Sequence, residues 1–228
     1  MKTTLILDCY VDDDGGAPNF IRHLGDRPYH VVRATRESLP DTLEAFSSIL
    51  ITGSAASVAE PTPWVEDLIE LLLRAADTKT PTLGVCFGHQ ALGAAFGGAE
   101  AAGRAPVPEV GCVDIQLVAD DPIFEGLERR FKCFVSHEDE VRNVGGELKQ
   151  LAHSAGCDMQ ALRVSDLPLW GVQFHAEMLY EETVRLVHYR AERHPQLELD
   201  VDQAIEELRN TDHICRTLFR NFFELTGA

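Results

Sequence analysis

The sequence lacks the features of an exported or membrane-anchored protein. Its 228 residues include six cysteines but no Cys-x-x-Cys pair, which argues against a disulfide framework. The first apolar run, Thr4-Leu5-Ile6-Leu7, is too short for an export signal and leads directly into Asp8. No stretch approaches the roughly 20 apolar residues that span a bilayer. We therefore expect a cytoplasmic protein with reduced thiols.

Positive charge is also scarce. Lys and Arg number 20 against 37 Asp and Glu, so the formal net charge is -17. Such a surface repels phosphate backbones and anionic lipid headgroups, which excludes nucleic acid and membrane as expected partners and favours a small-molecule substrate. The Cys, His, Asp and Glu residues show no metal-ligand spacing, so we predict neither a metal site nor a cofactor. The acidic run Asp12-Asp13-Asp14 is interpreted as a solvated loop.

The sequence has no internal repeat and no linker rich in Pro, Gly or Ser, so we predict one domain over residues 1–228. Short apolar runs such as Ile49-Leu50-Ile51 and Thr82-Leu83-Gly84-Val85 alternate with helical patterns. Continuous apolar runs are typical of parallel strands that are covered on both faces. The pattern predicts an α/β fold, a three-layer sandwich with a mostly parallel central sheet. From about residue 180 to 228 it predicts a charged helical extension.

One cysteine stands out because glycines flank it, in Gly84-Val85-Cys86-Phe87-Gly88. A sharp turn from a strand into a helix crowds the backbone, and residues without a side chain relieve that crowding. A thiol at the start of a helix also faces free N–H groups and the positive end of the helix dipole, which favour the thiolate. The pattern predicts that Cys86 is a nucleophile, and we interpret the other five cysteines as structural.

A second motif, Trp170-Gly-Val-Gln-Phe-His175-Ala-Glu177, ends a predicted strand with a histidine and a glutamate. Residues two apart on extended backbone point to the same side. Glu177 can therefore hold one ring nitrogen of His175 while the other nitrogen faces a thiol. A Cys–His pair with an orienting carboxylate is the arrangement of an acyl-transfer nucleophile.

In combination these motifs resemble the class I (triad) glutamine amidotransferases, and most closely stand-alone proteins related to the amidotransferase domain of GMP synthase. Three further segments match the family in the same order: Ile49–Ser54, Asp121–Leu127 and Phe134–Val141. The resemblance runs from about residue 5 to residue 180, and it implies the flavodoxin-like fold of that family.

The resemblance implies a catalytic triad of Cys86 as nucleophile, His175 as general base and then acid, and Glu177 as the residue that orients His175. The thiolate would attack the side-chain amide of glutamine, expel ammonia and leave a γ-glutamyl thioester for water to cleave. It also implies an oxyanion hole and contacts to the amino-acid end of the substrate. The residues concerned are Gly53, Ser54 and Phe87 for the oxyanion hole, and Gln90 with the backbone around Ser136 and His137 for the substrate.

The sequence departs from the family pattern at three positions. Ala176 replaces a proline, Ser54 replaces a glycine, and Cys112 replaces a residue that is commonly aromatic. Three functions stay open at this point. The first is an amidotransferase that passes ammonia to an acceptor with the help of a synthetase-type partner chain. The second is a self-sufficient γ-glutamyl peptidase or hydrolase, and the third is a catalytically weak glutamine-binding regulatory subunit.

Overall fold

The computed structural model describes residues 2–60, 62–98, 100–142, 146–193, 195 and 199–227. Within these ranges the strands are β1 Thr3–Asp8, β2 Tyr29–Arg33, β3 Phe46–Ile51, β4 Thr82–Val85, β5 Ala102–Leu117, β6 Arg130–Val141, β7 Leu148–His153, β8 Ala161–Val164 and β9 Leu169–Val172. The helices are α1 Ala17–Ile21, α2 Pro63–Asp77, α3 Phe87–Gly97, α4 Tyr180–Arg193, α5 Val201–Leu208 and α6 Asp212–Thr226, with a short 3-10 helix at Pro122–Phe124.

All of these strands join one sheet, in the order β2-β1-β3-β4-β9-β8-β7-β5-β6. The five strands from β2 to β9 run parallel to one another. From β9 to β6 every neighbouring pair is antiparallel. The predicted α/β fold is confirmed, and the structure adds an antiparallel half to the parallel sheet. Because the parallel strands share a direction, the carboxyl ends of β1, β3, β4 and β9 lie at the same edge.

Helices cover both faces of the parallel strands and make the three layers. On one face α2 and α3 pack against the sheet. The amphipathic helix α2 buries Val65, Leu68, Leu71, Leu72 and Ala75 there. On the other face α1 and α6 pack against the sheet. Strand residues such as Leu5 and Ile6 are fully buried, because each face of the sheet meets a helix layer.

The helices from residue 180 onward are part of the packed structure. Val187 of α4 and Leu208 of α5 form a small buried cluster with Phe134 of β6. Helix α6 returns to the main core and buries Phe219 and Phe222 there. Among the described helices, none is long and apolar enough to cross a membrane.

Candidate active site

Four loops meet where parallel strands end. Tyr10 follows β1, Gly53 follows β3, Cys86 follows β4, and His175 lies just beyond β9. A Cβ atom placed on Gly53 would lie 3.6 Å from Cys86 Cβ, 3.6 Å from His175 Cε1 and 3.9 Å from Tyr10 Cε2. This edge of an open parallel sheet is where α/β proteins build their sites.

Cys86 occupies the turn between β4 and α3 with φ 52° and ψ −101°. Positive φ is uncommon for a residue with a side chain and is sustained only by its surroundings. Its N–H donates to Val172 O at 2.8 Å, which ties the turn to β9. The flanking glycines are required by space, since a Cβ on Gly84 would lie 2.4 Å from Gly88 C, and one on Gly88 would lie 2.8 Å from Ile51 O.

His175 and Glu177 form a buried pair beside Cys86. His175 Nδ1 lies 2.8 Å from Glu177 Oε1, with side-chain exposures of 5% and 1%. Burial by itself lowers the pKa of His175, but the Glu177 carboxylate and a hydrogen bond with the Cys86 side chain raise it well above its ordinary value. The imidazole therefore holds a proton readily in this position.

Backbone contacts fix both members of this pair. His175 N–H donates to Phe134 O at 2.9 Å. The ring of His23 lies with Nε2 3.0 Å from Glu177 O, and it stacks on Phe219 of α6 at 4.2 Å between ring centroids. Sequence reasoning did not select His23, because its partner is 154 residues away and no local pattern marks it.

Ala176, at the position where the resembled family has proline, makes a contact that proline lacks. Its N–H donates to Phe174 O at 3.0 Å and its side chain is fully buried. A proline has no N–H to donate. The link between His175 and Glu177 is therefore held by a backbone hydrogen bond.

A cavity of about 100 Å³ opens beside the thiol. It brings together most of the residues selected from the sequence: Ser54, Cys86, Gln90, Ser136 and His137 line its wall. Asp139, Glu60, Arg104 and Arg190 also line it, so both signs of charge face the space. Asp139 is buried, and its Oδ1 lies 3.5 Å from Arg104 Nη1.

The predicted oxyanion-hole residues border Cys86. Phe87 is the first residue of α3, and no side chain among the described residues caps this helix. The first N–H groups of a helix have no partner inside it, and those of α3 begin directly after Cys86. Gly53 lies beside Cys86 and His175, since a Cβ on Gly53 would be 3.6 Å from an atom of each. Ser54 uses its hydroxyl to accept a hydrogen bond from Ala56 N at 3.0 Å, which stabilises the loop.

The three predicted substrate contacts differ in which of their polar groups already have partners within the protein. The Gln90 amide nitrogen is already engaged, since it donates to Asp139 O at 2.9 Å and to Gln173 Oε1 at 3.1 Å. Ser136 O lies 3.9 Å from Cys86 Sγ. Both nitrogens of the His137 ring have hydrogen-bonding partners, Asp139 O at Nδ1 and the Glu109 carboxylate at Nε2. His137 therefore has no free ring nitrogen to offer a substrate.

Tyr10 is a neighbour of the site that sequence reasoning missed. Burial raises the pKa of its phenol, and the charges of Glu177 and Cys86 raise it further, so the hydroxyl stays protonated. Its position directly after β1, at the same sheet edge as Cys86, is the indication that could have identified it.

The other five cysteines are free thiols, and one of them, Cys133, lies with its Sγ 4.0 Å from the carbonyl oxygen of His175. Cys9, Cys133, Cys157 and Cys215 are buried, and Cys112 is half-buried. Burial raises the pKa of Cys112 and of Cys157 to about 12, which keeps both protonated in the absence of a ligand.

The acidic loop predicted at residues 12–14 is exposed, and Asp13 forms an ion pair with Arg36 at 2.6 Å.

The sequence predicted no metal site, but three ligand-type side chains meet in the fold. One ligand atom each of Glu109, His137 and Cys157 lies within 4.8 Å of the others. These residues lie on β5, on β6 and after β7, tens of positions apart in the sequence. No spacing rule for metal ligands would have found them.

Comparison with known proteins identifies the family. The sequence model of the family "Glutamine amidotransferase class-I" matches residues 5–187. A glutamine-hydrolyzing GMP synthase subunit of Methanopyrus kandleri is 33% identical over 177 residues, which cover 75% of this chain and 89% of that protein. The corresponding protein of Pyrococcus abyssi is 40% identical over 102 residues, or 45% of this chain, and the chain spans only about half of that relative's length (53%).

Solved structures agree on the fold. A glutamine amidotransferase from Thermotoga maritima superposes with a TM-score of 0.82 at 19% identity, covering 99% of this chain and 98% of that one. A glutamine amidotransferase from Methylobacillus flagellatus gives 0.75 at 23% identity, with 99% and 92% covered. The match of the family sequence model to most of the chain shows that the protein belongs to the class I glutamine amidotransferases.

Proposed function

We propose that the protein hydrolyses the side-chain amide of glutamine through a thioester on Cys86 and delivers the ammonia to an acceptor. The observation that carries this proposal is the strained Cys86 turn beside a buried histidine that Glu177 holds at 2.8 Å. A positioned thiol, a base and an orienting carboxylate are the parts that acyl transfer requires.

The chemistry follows from the positions of these groups. His175 takes the proton of the Cys86 thiol, and the thiolate attacks the amide carbon of glutamine. The imidazolium then protonates the amide nitrogen as the C–N bond breaks, so ammonia leaves and a γ-glutamyl thioester remains. His175 next takes a proton from water, whose oxygen attacks the thioester. The C–S bond of the thioester then breaks, the imidazolium returns its proton to the Cys86 sulfur, and glutamate leaves. The raised pKa of His175 supports the acid step, because the ring keeps its proton until the leaving amide nitrogen accepts it.

The negative charge on the amide oxygen needs donors that are already in place. We assign this role to the N–H of Phe87 at the uncapped start of α3 and to the Gly53–Ser54 loop, which borders Cys86. Removing one such donor typically costs about 10²–10³-fold in kcat. The Ser54 hydroxyl, which is engaged with Ala56 N, keeps that loop in one conformation despite the missing glycine.

The cavity supports a compact substrate. Its volume is about 100 Å³. Free glutamine suits this space better than a bulky γ-glutamyl conjugate does. The Asp139 carboxylate and the Arg104 guanidinium on its wall match the ammonium and carboxylate of an amino acid.

We further propose that a partner chain activates the ammonia acceptor. The relatives are each named as one subunit of a glutamine-hydrolyzing GMP synthase, and that name supports a second chain. The charge of -17 favours a partner that presents a basic surface, since complementary potentials accelerate association.

The proposal is tested by measuring ammonia and glutamate released from glutamine by purified protein. Cys86→Ser should abolish release, and His175→Ala should lower kcat by about 10²–10⁴-fold. Glu177→Gln should cost less, because the residue orients the ring without transferring a proton. Cys112→Ser, a change at a half-buried cysteine outside the site, should retain wild-type activity. Full activity of Cys86→Ser would contradict the assignment.

A second measurement separates the other functions. Turnover of γ-glutamyl dipeptides well above that of glutamine would identify a γ-glutamyl hydrolase in place of an amidotransferase. Glutamine binding without any turnover, with or without the synthetase chain of a related GMP synthase, would indicate a regulatory role. The result expected for the amidotransferase is a rise in glutamine turnover when that synthetase chain is added.

A further inference from the structure

We propose that Glu109, His137 and Cys157 bind one divalent transition-metal ion of the zinc class, behind the wall of the active-site cavity. The three ligand atoms lie within 4.8 Å of one another, and His137 Nε2 is 3.1 Å from Glu109 Oε2. Zinc bonds of about 2.0–2.3 Å place the ligands of one ion roughly 3–4 Å apart. The three groups therefore need to close by only about an ångström.

The His137 ring has the orientation of a metal-binding histidine. Its Nδ1 lies 2.9 Å from the carbonyl oxygen of Asp139, which can only accept, so the proton is on Nδ1. In the neutral ring Nε2 then carries a lone pair, and that lone pair points at a carboxylate oxygen. Metal-bound histidines commonly show this arrangement, with the second ring nitrogen donating to a backbone carbonyl. A cation that binds both Nε2 and Oε2 removes the repulsion between this lone pair and the negatively charged carboxylate.

The Glu109 carboxylate is held in place from the opposite side. Ser154 Oγ donates to it at 3.0 Å and Gln160 Nε2 at 2.9 Å. A Cβ on Gly156 would lie 2.5 Å from Glu109 Oε1, so the turn after β7 packs directly on the carboxylate. Such outer hydrogen bonds orient the ligands of metal sites.

Cys157, the third proposed ligand, lies in the same turn after β7. Its N–H donates to Ser154 Oγ at 3.0 Å, so one serine fixes both the carboxylate and the cysteine. The Cys157 side chain is buried, and the backbone N–H of Met159 donates a hydrogen bond to its sulfur. On binding, the metal–sulfur bond replaces the S–H bond and one proton leaves.

The ligand types select the metal. One thiolate, one imidazole and one carboxylate suit zinc, whereas calcium and magnesium prefer oxygen ligands alone. Three protein ligands leave a fourth position for water. The site is linked to the catalytic centre through β6, because His137 follows Ser136, whose carbonyl oxygen lies 3.9 Å from Cys86 Sγ.

The experiment uses the full chain, stripped of metal by a chelator and then titrated with Co²⁺ and Zn²⁺. We expect one equivalent of Co²⁺ with a thiolate-to-cobalt charge-transfer band in the near ultraviolet. Zn²⁺ should displace it, as measured by competition with a chromogenic chelator. Cys157→Ser should lose the band, and Glu109→Gln should weaken binding by about 10–100-fold. The band should persist in Cys112→Ser and in Cys86→Ser.

Three results would overturn the proposal. Less than one equivalent of bound metal would show that Glu109 and His137 form a simple ion pair. A band that vanishes in Cys86→Ser would place the ion at the catalytic cysteine, and a band that survives Cys157→Ser would exclude that ligand. Anomalous scattering from zinc in crystals of unmutated protein locates the ion without any variant. Circular dichroism of each variant shows whether a loss of binding reflects unfolding.

Discussion

Cys86 has a backbone conformation that a residue with a side chain seldom adopts. Its φ of 52° is one of three positive values among the described non-glycine residues, with Lys79 and Ser165. Such conformations cost of order 1–3 kcal/mol and persist where the surrounding structure enforces them. Here the hydrogen bond to Val172 O and the packed glycines enforce it. The strained backbone lowers the stability of the folded protein, and it places the Cys86 sulfur at the cavity wall.

This strain predicts an unusual order of stabilities. At ordinary positions glycine is less favourable than alanine by about 0.4–1 kcal/mol, because it gains more freedom in the unfolded chain. At position 86 we expect Cys86→Gly to be more stable than Cys86→Ala by about 1 kcal/mol, since only alanine keeps the strained Cβ. Urea unfolding measures the difference. Cys9, a buried cysteine whose φ is not positive, is the matched control and should show the ordinary order. The same order at both positions would contradict the strain.

The turn from β4 into α3 is the element on which the site depends. Gly84 lies where the strand passes beneath the first turn of the helix, and Gly88 lies against Ile51 of β3. A side chain at either position would push α3 away from the sheet. The N–H groups at the start of α3 and the sulfur of Cys86 would then move together.

Gly84→Ala should therefore damage stability and activity together. The new Cβ would meet Gly88 backbone at 2.4 Å, and overpacking of this kind costs about 1–3 kcal/mol. We expect a lower unfolding midpoint and slower alkylation of Cys86 by iodoacetamide. Gly103→Ala is the control, because the nearest atom to its Cβ would be Arg142 Nη1 at 4.0 Å. Equal effects of the two changes would show that the crowding at Gly84 is unimportant.

The protein as a whole buries titratable groups between its layers, and these make its stability depend on pH. His89 of α3 is fully buried against β9, where Gly171 leaves room for its ring. Burial lowers the pKa of His89 to about 3. The unfolded chain therefore binds a proton at His89 below about pH 6.5 that the folded protein does not bind.

This difference sets the sign of the effect. Between about pH 3 and 6.5 the unfolded state holds more protons, so the free energy of unfolding contributed by His89 rises with pH, by up to about 1.4 kcal/mol per pH unit. We expect His89→Gln to flatten the pH dependence in urea unfolding over this window. His213→Gln, at an exposed histidine, should leave the slope unchanged. An unchanged slope in His89→Gln would mean that the ring is protonated in the folded protein.

The amino-acid sequence alone was sufficient to predict the α/β fold and the likeness to the class I glutamine amidotransferases. Both rest on local patterns: continuous apolar runs, the glycines around Cys86, and the i, i+2 spacing of His175 and Glu177. Local backbone geometry determines such relationships, so they can be read directly from the chain. The roles of the individual site residues stay predictions that the assays above address.

Only the tertiary structure decided which distant residues meet. The antiparallel half of the sheet, the positions of Tyr10 and His23 beside the candidate site, and the group of Glu109, His137 and Cys157 depend on strand order and on the packing of α6. These contacts join residues that are tens of positions apart, and the energies that select them come from burial of the whole core. No spacing in the sequence encodes such contacts, because a long loop can close onto many places at nearly the same entropic cost.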